Sequence, residues 1–303
     1  MKRLIMGIAL FAITFFVSNL LVLNFGTNLI TKESPAIKVK ATDSQEKIAP
    51  PAIADATETD FIPEIRDLPN FEDIQNPDFK TKLVDVIEHG GVYRKSEVIA
   101  KSGETWLGLF EQNGKLSLNR TKVNVRLDPS QEGPGDEDYV RLSFNQRSLP
   151  LFIVKNSKAL MPGPVTPLYH RLSMKETDEG NLPIKSLTIG YKEKFRLNGE
   201  EYTLRVAPGI TRDGTTANVL ILETDKRSQV ITYNTYYRDT NTKYDIIGDL
   251  LWIGDLDGDG KLDLYFSDFG YEKGGFGSNL FLSSAAEDGK LVKQVASFGT
   301  AGC

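Results

Sequence analysis

The feature that most constrains the fold is a series of short apolar and β-branched segments, separated by turn residues, that fills the chain from residue 105 onward. In residues 121–128, Val123, Val125 and Leu127 alternate with polar residues, and this period of two predicts a half-buried strand with those three side chains facing inward. Similar runs predict further strands at residues 105–110, 139–144, 151–155, 184–190, 202–206, 219–223, 230–234, 262–266, 280–283 and 291–297. So many short strands are expected to form antiparallel sheets.

Two Asn-Gly steps mark the sharpest predicted turns. Asn113-Gly114 and Asn198-Gly199 lie between apolar runs, and Asn-Gly favours type I′ hairpins because both central residues must take a positive φ. The sequence has no repeat with a fixed period of roughly 20–50 residues, so a propeller of equivalent units is not expected. We therefore predict a mainly β fold, an antiparallel sandwich or barrel-like β domain.

One short helix is predicted at the start of this domain. Asn76 suits the N-cap, Pro77 suits the first helical position, and Gly90 suits the end of the helix. The apolar residues between them follow helical spacing: Phe79, Leu83, Val84 and Ile87.

The N-terminus carries a long uncharged run. Residues 4–23 are almost entirely apolar and would span about 30 Å as a helix, which matches the hydrocarbon core of a bilayer. We favour an uncleaved transmembrane anchor, because no small-residue cleavage site follows the run; a cleaved signal peptide is the alternative. Lys2 and Arg3 would hold the N-terminus in the cytoplasm, so the rest of the chain would be exported.

The composition along the chain suggests three regions. Residues 1–30 form the membrane anchor or signal peptide, and residues 31–60 are too poor in large apolar side chains to fold, so they are expected to be a disordered linker. Residues 61–303 form the exported β-rich domain. The three prolines in residues 161–167 mark either a boundary between two subdomains near residue 165 or a long connection inside one domain.

Charge and metal-ligating residue types exclude several classes of function. The chain has 36 Lys+Arg and 41 Asp+Glu, and its net charge of −5 gives no drive toward nucleic acid. Cys303 is the only cysteine, so neither an intramolecular disulfide nor a thiolate zinc site can form, and its role is not indicated by the sequence. The two histidines, His89 and His170, are too few for a multi-histidine metal centre.

Residues 254–263, GDLDGDGKLD, are the part of the sequence with a recognisable pattern of metal-ligating residues. Asp255, Asp257, Asp259 and Asp263 stand at positions 1, 3, 5 and 9 of a loop in which Gly260 stands at position 6, where the turn is sharp. Such a loop can direct alternate carboxylates inward and add the carbonyl oxygen of Lys261 at position 7. Position 12 is Phe266 rather than the bidentate Glu of an EF-hand, and the flanks have the composition of strands. The alternative interpretation is a solvated Asp/Gly turn.

Residues 247–268 resemble the FG-GAP and VCBS-type calcium loops of exported bacterial and cell-surface β proteins. Those families usually carry several copies, whereas this chain carries one. The resemblance implies a calcium ion held by Asp255, Asp257, Asp259, the carbonyl of Lys261, and Asp263. Together with the N-terminal apolar run, the resemblance leads us to expect a bacterial cell-envelope location: anchored in the inner membrane through residues 4–23 with the domain outside the cytoplasm, or periplasmic or secreted if the N-terminus is cleaved.

The sequence has neither a nucleophile elbow nor a phosphate loop, so it does not identify an enzyme. We expect a calcium-binding β domain with a binding or envelope-structural role, whose protein or glycan partner is not indicated. The alternative is an exported hydrolase acting on cell-wall or polysaccharide substrate, with calcium as a structural ion. The Gly-rich residues 270–279 are expected to form a loop beside the calcium site, and Trp106 and Trp252 are expected to lie in the core.

Overall fold

The computed structural model describes residues 65–70, 74, 79–130, 138–173, 185–235, 246–270 and 275–300. These residues belong to one compact unit, Glu58–Cys303. The predicted membrane or signal segment 1–30, the predicted linker 31–60 and Cys303 lie outside the described residues. Within the described ranges, no helix has the length and apolar character needed to cross a membrane.

The described residues form eighteen strands and two short 3₁₀ helices. The strands are β1 (Ile65–Leu68), β2 (Lys82–Asp85), β3 (Val92–Arg94), β4 (Thr105–Gln112), β5 (Lys115–Leu127), β6 (Tyr139–Phe144), β7 (Phe152–Lys155), β8 (Gly163–Pro164), β9 (Thr166–His170), β10 (Lys185–Thr188), β11 (Lys192–Leu197), β12 (Glu200–Thr211), β13 (Thr216–Glu223), β14 (Ser228–Thr235), β15 (Ile246–Asp255), β16 (Asp263–Gly270), β17 (Gly275–Leu282) and β18 (Lys293–Gly299). The 3₁₀ helices are Lys95–Glu97 and Arg171–Ser173. The prediction of a mainly β, antiparallel fold is confirmed, with one exception: β1 runs parallel to β12.

The strands form three sheets. The seven-stranded sheet has the order β2-β7-β4-β5-β6-β3, with β8 added beside β5. The six-stranded sheet has the order β10-β15-β16-β17-β18, with β9 added beside β15. The five-stranded sheet has the order β1-β12-β13-β14, with β11 added beside β12.

The six-stranded sheet is the middle layer of the unit, because both of its faces are buried. One face contributes Trp252 and Tyr265 to a core shared with the seven-stranded sheet. The other face contributes Ile253 and Phe266 to a core shared with the five-stranded sheet. Burial on both sides explains why β15 has eight consecutive buried residues instead of an alternating pattern. Trp106 and Trp252 lie in the core as predicted.

The two Asn-Gly turns are confirmed. Asn113 and Gly114 have φ of 54° and 73° between β4 and β5, and Asn198 and Gly199 have φ of 48° and 88° between β11 and β12. Positive φ at both central residues is what a type I′ turn requires. The turn residues therefore also set the register of both hairpins, which pairs Gln112 with Lys115 and Leu197 with Glu200.

The prediction of a short N-terminal helix between Asn76 and Gly90 is wrong. Lys82–Asp85 form strand β2, which pairs antiparallel with β7, and Gly90 lies in the turn that follows. Leu83 and Val84 are both buried, so this stretch faces protein on two sides. Adjacent apolar residues occur both on a helix face and in a fully buried strand, so the local sequence fits either conformation. Pairing with β7 selects the strand. Asn76 and Pro77 lie outside the described residues.

Two smaller predictions also need correction. Leu127 does not face inward: it is 62% exposed, because β5 extends beyond the core before it ends. The Gly-rich stretch is not simply a loop, since Gly275–Leu282 form strand β17. Backbone pairing with β16 on one side and β18 on the other holds β17 although Gly275 and Gly277 lack side chains.

Candidate metal centre

The aspartate-rich loop, residues 255–263, connects β15 to β16 at one end of the middle sheet. Leu256 and Leu262 inside the loop are buried and attach it to the protein. Gly258 and Gly260 have φ of 81° and 82°, the left-handed conformation that favours glycine, so the chain can wind tightly between the aspartates. The local sequence therefore bends the loop around its own carboxylates.

Three carboxylates converge in this loop. One oxygen atom from each of Asp255, Asp257 and Asp263 lies within 4.8 Å of the other two. The carboxylate of Asp259 is not part of this convergent group; its Oδ1 accepts a hydrogen bond from the Lys261 amide at 2.8 Å and lies 3.0 Å from the Ser283 hydroxyl. We call Asp255, Asp257 and Asp263 the acidic triad; Asp259 and the carbonyl of Lys261 remain predicted ligands.

Asp263 is the most deeply buried member of the acidic triad, with no exposed surface. Its Oδ2 accepts hydrogen bonds from the amides of Leu256 at 2.7 Å and Asp257 at 3.3 Å. Its Oδ1 accepts hydrogen bonds from the amide and the hydroxyl of Ser283, at 2.7 Å and 2.8 Å. Burial, helped by the charge of Asp257, nevertheless raises the pKa of Asp263 to about 8. These donors alone do not compensate a negative charge at this position.

The other two members of the triad close the turn. The carboxylate of Asp255 accepts hydrogen bonds from the amides of Gly258 at 2.8 Å and Gly260 at 3.1 Å. Asp257 accepts a hydrogen bond from the Asp259 amide at 3.2 Å and another from the Ser284 hydroxyl. Burial raises the pKa of Asp257, with further contributions from the charges of Asp259 and Asp255. Each oxygen of Asp255 and Asp257 accepts one of these hydrogen bonds and has two lone pairs, so these two carboxylates keep capacity for a cation.

Positive side chains do not neutralise the acidic triad. None of the ion pairs within the described residues involves Asp255, Asp257 or Asp263. The hydrogen-bond donors to the triad are backbone amides and serine hydroxyls. A partly buried group of three carboxylates without a cationic partner is chemically suited to a bound cation.

Three residues of this site were not predicted from the sequence. Ser283 and Ser284 follow β17, and the pairing of Leu264 with Phe281 brings them beside the loop. Asn198, which was identified only as a turn residue, donates its side-chain amide to the carbonyl oxygen of Gly260 at 2.8 Å. The loop spacing contains no signal for these contacts, because all three residues lie on other elements.

Comparisons of the chain with protein-family models, with curated proteins and with solved structures find no match. The resemblance of residues 247–268 to FG-GAP and VCBS-type loops therefore stays a prediction. Any functional conclusion must come from the chemistry of the loop.

Proposed function

We propose that residues 255–263 bind a calcium ion, and that the protein is a calcium-stabilised β domain of the bacterial cell envelope with a binding or structural role. The observation that carries this proposal is the acidic triad: three convergent carboxylates, one of them fully buried, without a Lys or Arg partner among the described residues.

The donor set favours a hard cation. The side-chain atoms of the loop that could ligate a metal are carboxylate oxygens, and oxygen ligands suit calcium and magnesium rather than zinc or copper. Calcium takes six to eight oxygens at about 2.3–2.6 Å in a flexible geometry, whereas magnesium demands a near-ideal octahedron. Asp259 and the carbonyl of Lys261 would complete the coordination. Phe266, at the position of the EF-hand glutamate, is buried in the core and supplies no ligand.

The surroundings of the loop support a structural role for the ion. The loop contacts Asn198 in the hairpin between β11 and β12 and contacts Ser283 and Ser284 after β17. An ion in the loop would therefore stabilise the junction between the five-stranded and six-stranded sheets. We propose that the ion acts by holding these elements together and that an unidentified protein or glycan is the partner.

The proposed location rests on the sequence of residues 1–30. We propose that residues 4–23 enter the inner membrane and that the domain lies outside the cytoplasm, or is released if the segment is cleaved. Alkaline phosphatase fused after residue 60 should then be active, because the enzyme requires export to become active. A cytoplasmic reporter fused at the same site should be inactive, and the opposite pattern would reject the proposed location.

Calcium binding is tested by thermal unfolding of the full-length chain in mild detergent with excess calcium, with magnesium, or with chelator. At 100-fold excess over Kd, a ligand that binds only the folded state adds about 2.7 kcal/mol to the free energy of unfolding. For a domain of this size, each kcal/mol raises Tm by roughly 2–4 °C. We expect calcium to raise Tm by several degrees and magnesium to raise it much less.

Two variants make the test specific. Asp257→Ala removes a member of the acidic triad, so most of the calcium-dependent rise in Tm should disappear. Asp288→Ala is the matched control, because Asp288 also precedes a glycine but lies in an exposed turn outside the loop. It should keep the full calcium effect. Identical Tm values for the unmodified protein in calcium, magnesium and chelator would refute the proposal and leave the loop as a turn.

A further inference from the structure

The seven-stranded and six-stranded sheets meet along two edge strands that do not pair. β2 lies at the edge of the first sheet and β18 at the edge of the second, and the two strands are in contact. In the described part of the chain, β2 forms its ladder with β7 and β18 forms its ladder with β17. We call the contact between β2 and β18 the seam. Because a ladder of backbone hydrogen bonds does not hold the seam, side chains must do so.

A buried polar cluster next to the seam connects β2 to β16 and β17 of the middle sheet. Asp85, the last residue of β2, is 1% exposed, and its Oδ2 accepts a hydrogen bond from the Tyr265 hydroxyl of β16 at 2.6 Å. The same hydroxyl lies 3.0 Å from the Ser278 hydroxyl of β17. The backbone carbonyl of Asp85 accepts a hydrogen bond from the Tyr93 hydroxyl of β3. Through its carboxyl group and its backbone carbonyl, Asp85 therefore connects strands of both sheets.

The carboxyl group of Asp85 lacks a cationic hydrogen-bond donor. Its Oδ1 accepts a hydrogen bond from the Glu88 amide at 3.0 Å, and the other hydrogen-bonding partners of the carboxyl group are the neutral hydroxyls of Tyr265 and Ser278. The nearby cation, Arg171, forms its ion pair with the side chain of Glu88.

The remaining groups around Asp85 are neutral, acidic or aromatic. The negative charge of Glu88 contributes to raising the pKa of Asp85. The charge of Asp249 contributes to raising the pKa of Glu88, and the charge of Glu97 contributes to raising the pKa of Tyr93. The ring of His89 packs against Tyr93 and against Phe298 of β18, and burial lowers the pKa of His89. An ionised Asp85 would therefore be a buried charge without an opposite charge bound to it.

We propose that the seam is a pH-sensitive contact, closed when Asp85 is protonated and loosened when Asp85 ionises. In the protonated state, Asp85 can donate its proton to the oxygen of Tyr265 while the Tyr265 hydroxyl donates to Ser278, so the carboxyl group is uncharged and keeps its hydrogen bonds. In the ionised state, the seam must either bury an unpaired charge or open to admit water.

The direction of the pH effect follows from the environment of Asp85. Burial, with a smaller contribution from the charge of Glu88, raises its pKa to about 7 in the closed state. In an opened, hydrated seam the pKa would return toward about 3.9. Stabilisation of the closed seam is therefore complete below about pH 4, declines as the pH rises, and is lost above about pH 7. Each unit of difference between the two pKa values allows a tenfold change in the opening equilibrium.

The test is native-state hydrogen exchange of the full-length chain at pH 5 and pH 8, with chelator present at both. Exchange rates are corrected for the chemical effect of pH and expressed as protection factors. Residues 82–86 and 293–299 report on the seam, and residues 216–223 of the five-stranded sheet are the internal reference. We expect protection of the seam to fall at least tenfold more than that of the reference between pH 5 and pH 8.

Three variants separate the seam from other titrating groups. Asp85→Asn keeps a neutral polar side chain, so protection of the seam should no longer depend on pH. Tyr265→Phe removes a donor to the ionised form, so the pKa of Asp85 in the closed seam should rise further and the loss of protection should continue to a higher pH. Asp268→Asn is the matched control: burial raises the pKa of Asp268 to about 6 in β16, yet its hydrogen bond goes to Asn279 rather than to β2. It should leave the pH effect unchanged.

Equal loss of protection in the seam and in the reference strand would overturn the proposal, because Asp85 would then act on the whole unit. Persistence of the pH effect in Asp85→Asn would overturn it as well, because that variant has no titrating group at position 85. Neither result depends on whether the loop binds calcium.

Discussion

Asn113 and Asn198 occupy equivalent positions in two type I′ hairpins, but their side chains have different surroundings. Asn198 donates its amide to the Gly260 carbonyl in the aspartate-rich loop, a contact between residues 62 positions apart. Asn113 closes the exposed hairpin between β4 and β5. Each turn could be predicted from two adjacent residues. The contact of Asn198 with the loop could not, because it depends on how the five-stranded and six-stranded sheets pack.

This difference gives a prediction at the scale of single residues. Asn113→Ala and Asn198→Ala both place alanine at a positive φ, so both lose the turn preference of asparagine. Asn198→Ala also removes a hydrogen bond, which should cost about 1 kcal/mol more in the free energy of unfolding. Urea unfolding of the two variants in the same buffer measures this difference. Equal losses of stability would show that the Asn198–Gly260 contact contributes nothing.

At the scale of elements, strands with alternating polarity and defined turns were predictable from the sequence. The strand predicted at residues 139–144 coincides with β6, and that at 151–155 closely matches β7. The residues of β2 predict a helix because Leu83, Val84 and Ile87 follow helical spacing, and adjacent buried residues replace the alternation of an ordinary strand. The sequence also contains no local signal that β1 runs parallel to β12. Which edges meet is decided by contacts between distant residues, so neither the sheet order nor the seam could be predicted.

In the candidate metal centre, too, local features could be predicted from the sequence and features that depend on strand pairing could not. The spacing of Asp255, Asp257 and Asp263 around two turn glycines predicts that carboxylates converge, since the loop is short and its geometry is local. The full burial of Asp263 and its hydrogen bonds from Ser283 depend on the pairing of β16 with β17. The convergence of the carboxylates could therefore be predicted from the sequence, whereas their electrostatic environment could not.

At the scale of the whole molecule, the middle sheet joins the parts of the chain on either side of residue 165. The rings of Phe152 in β7 and Tyr265 in β16 lie 4.7 Å apart, and Trp106 and Trp252 belong to the same buried core. A core shared in this way should not separate into two independently unfolding halves. We therefore expect residues on both sides of the proposed boundary to unfold together.

Two single-tryptophan variants test this expectation. Trp252→Phe leaves Trp106 as a reporter before residue 165, and Trp106→Phe leaves Trp252 as a reporter after it. Within the described residues the indole N–H of Trp252 has no hydrogen-bond partner, so its replacement by Phe loses no hydrogen bond. In each variant, urea unfolding followed by fluorescence and by far-ultraviolet circular dichroism should give coincident midpoints, because loss of either half exposes the shared core. A fluorescence transition displaced from the circular dichroism transition, in opposite directions in the two variants, would instead establish two subdomains divided near residue 165.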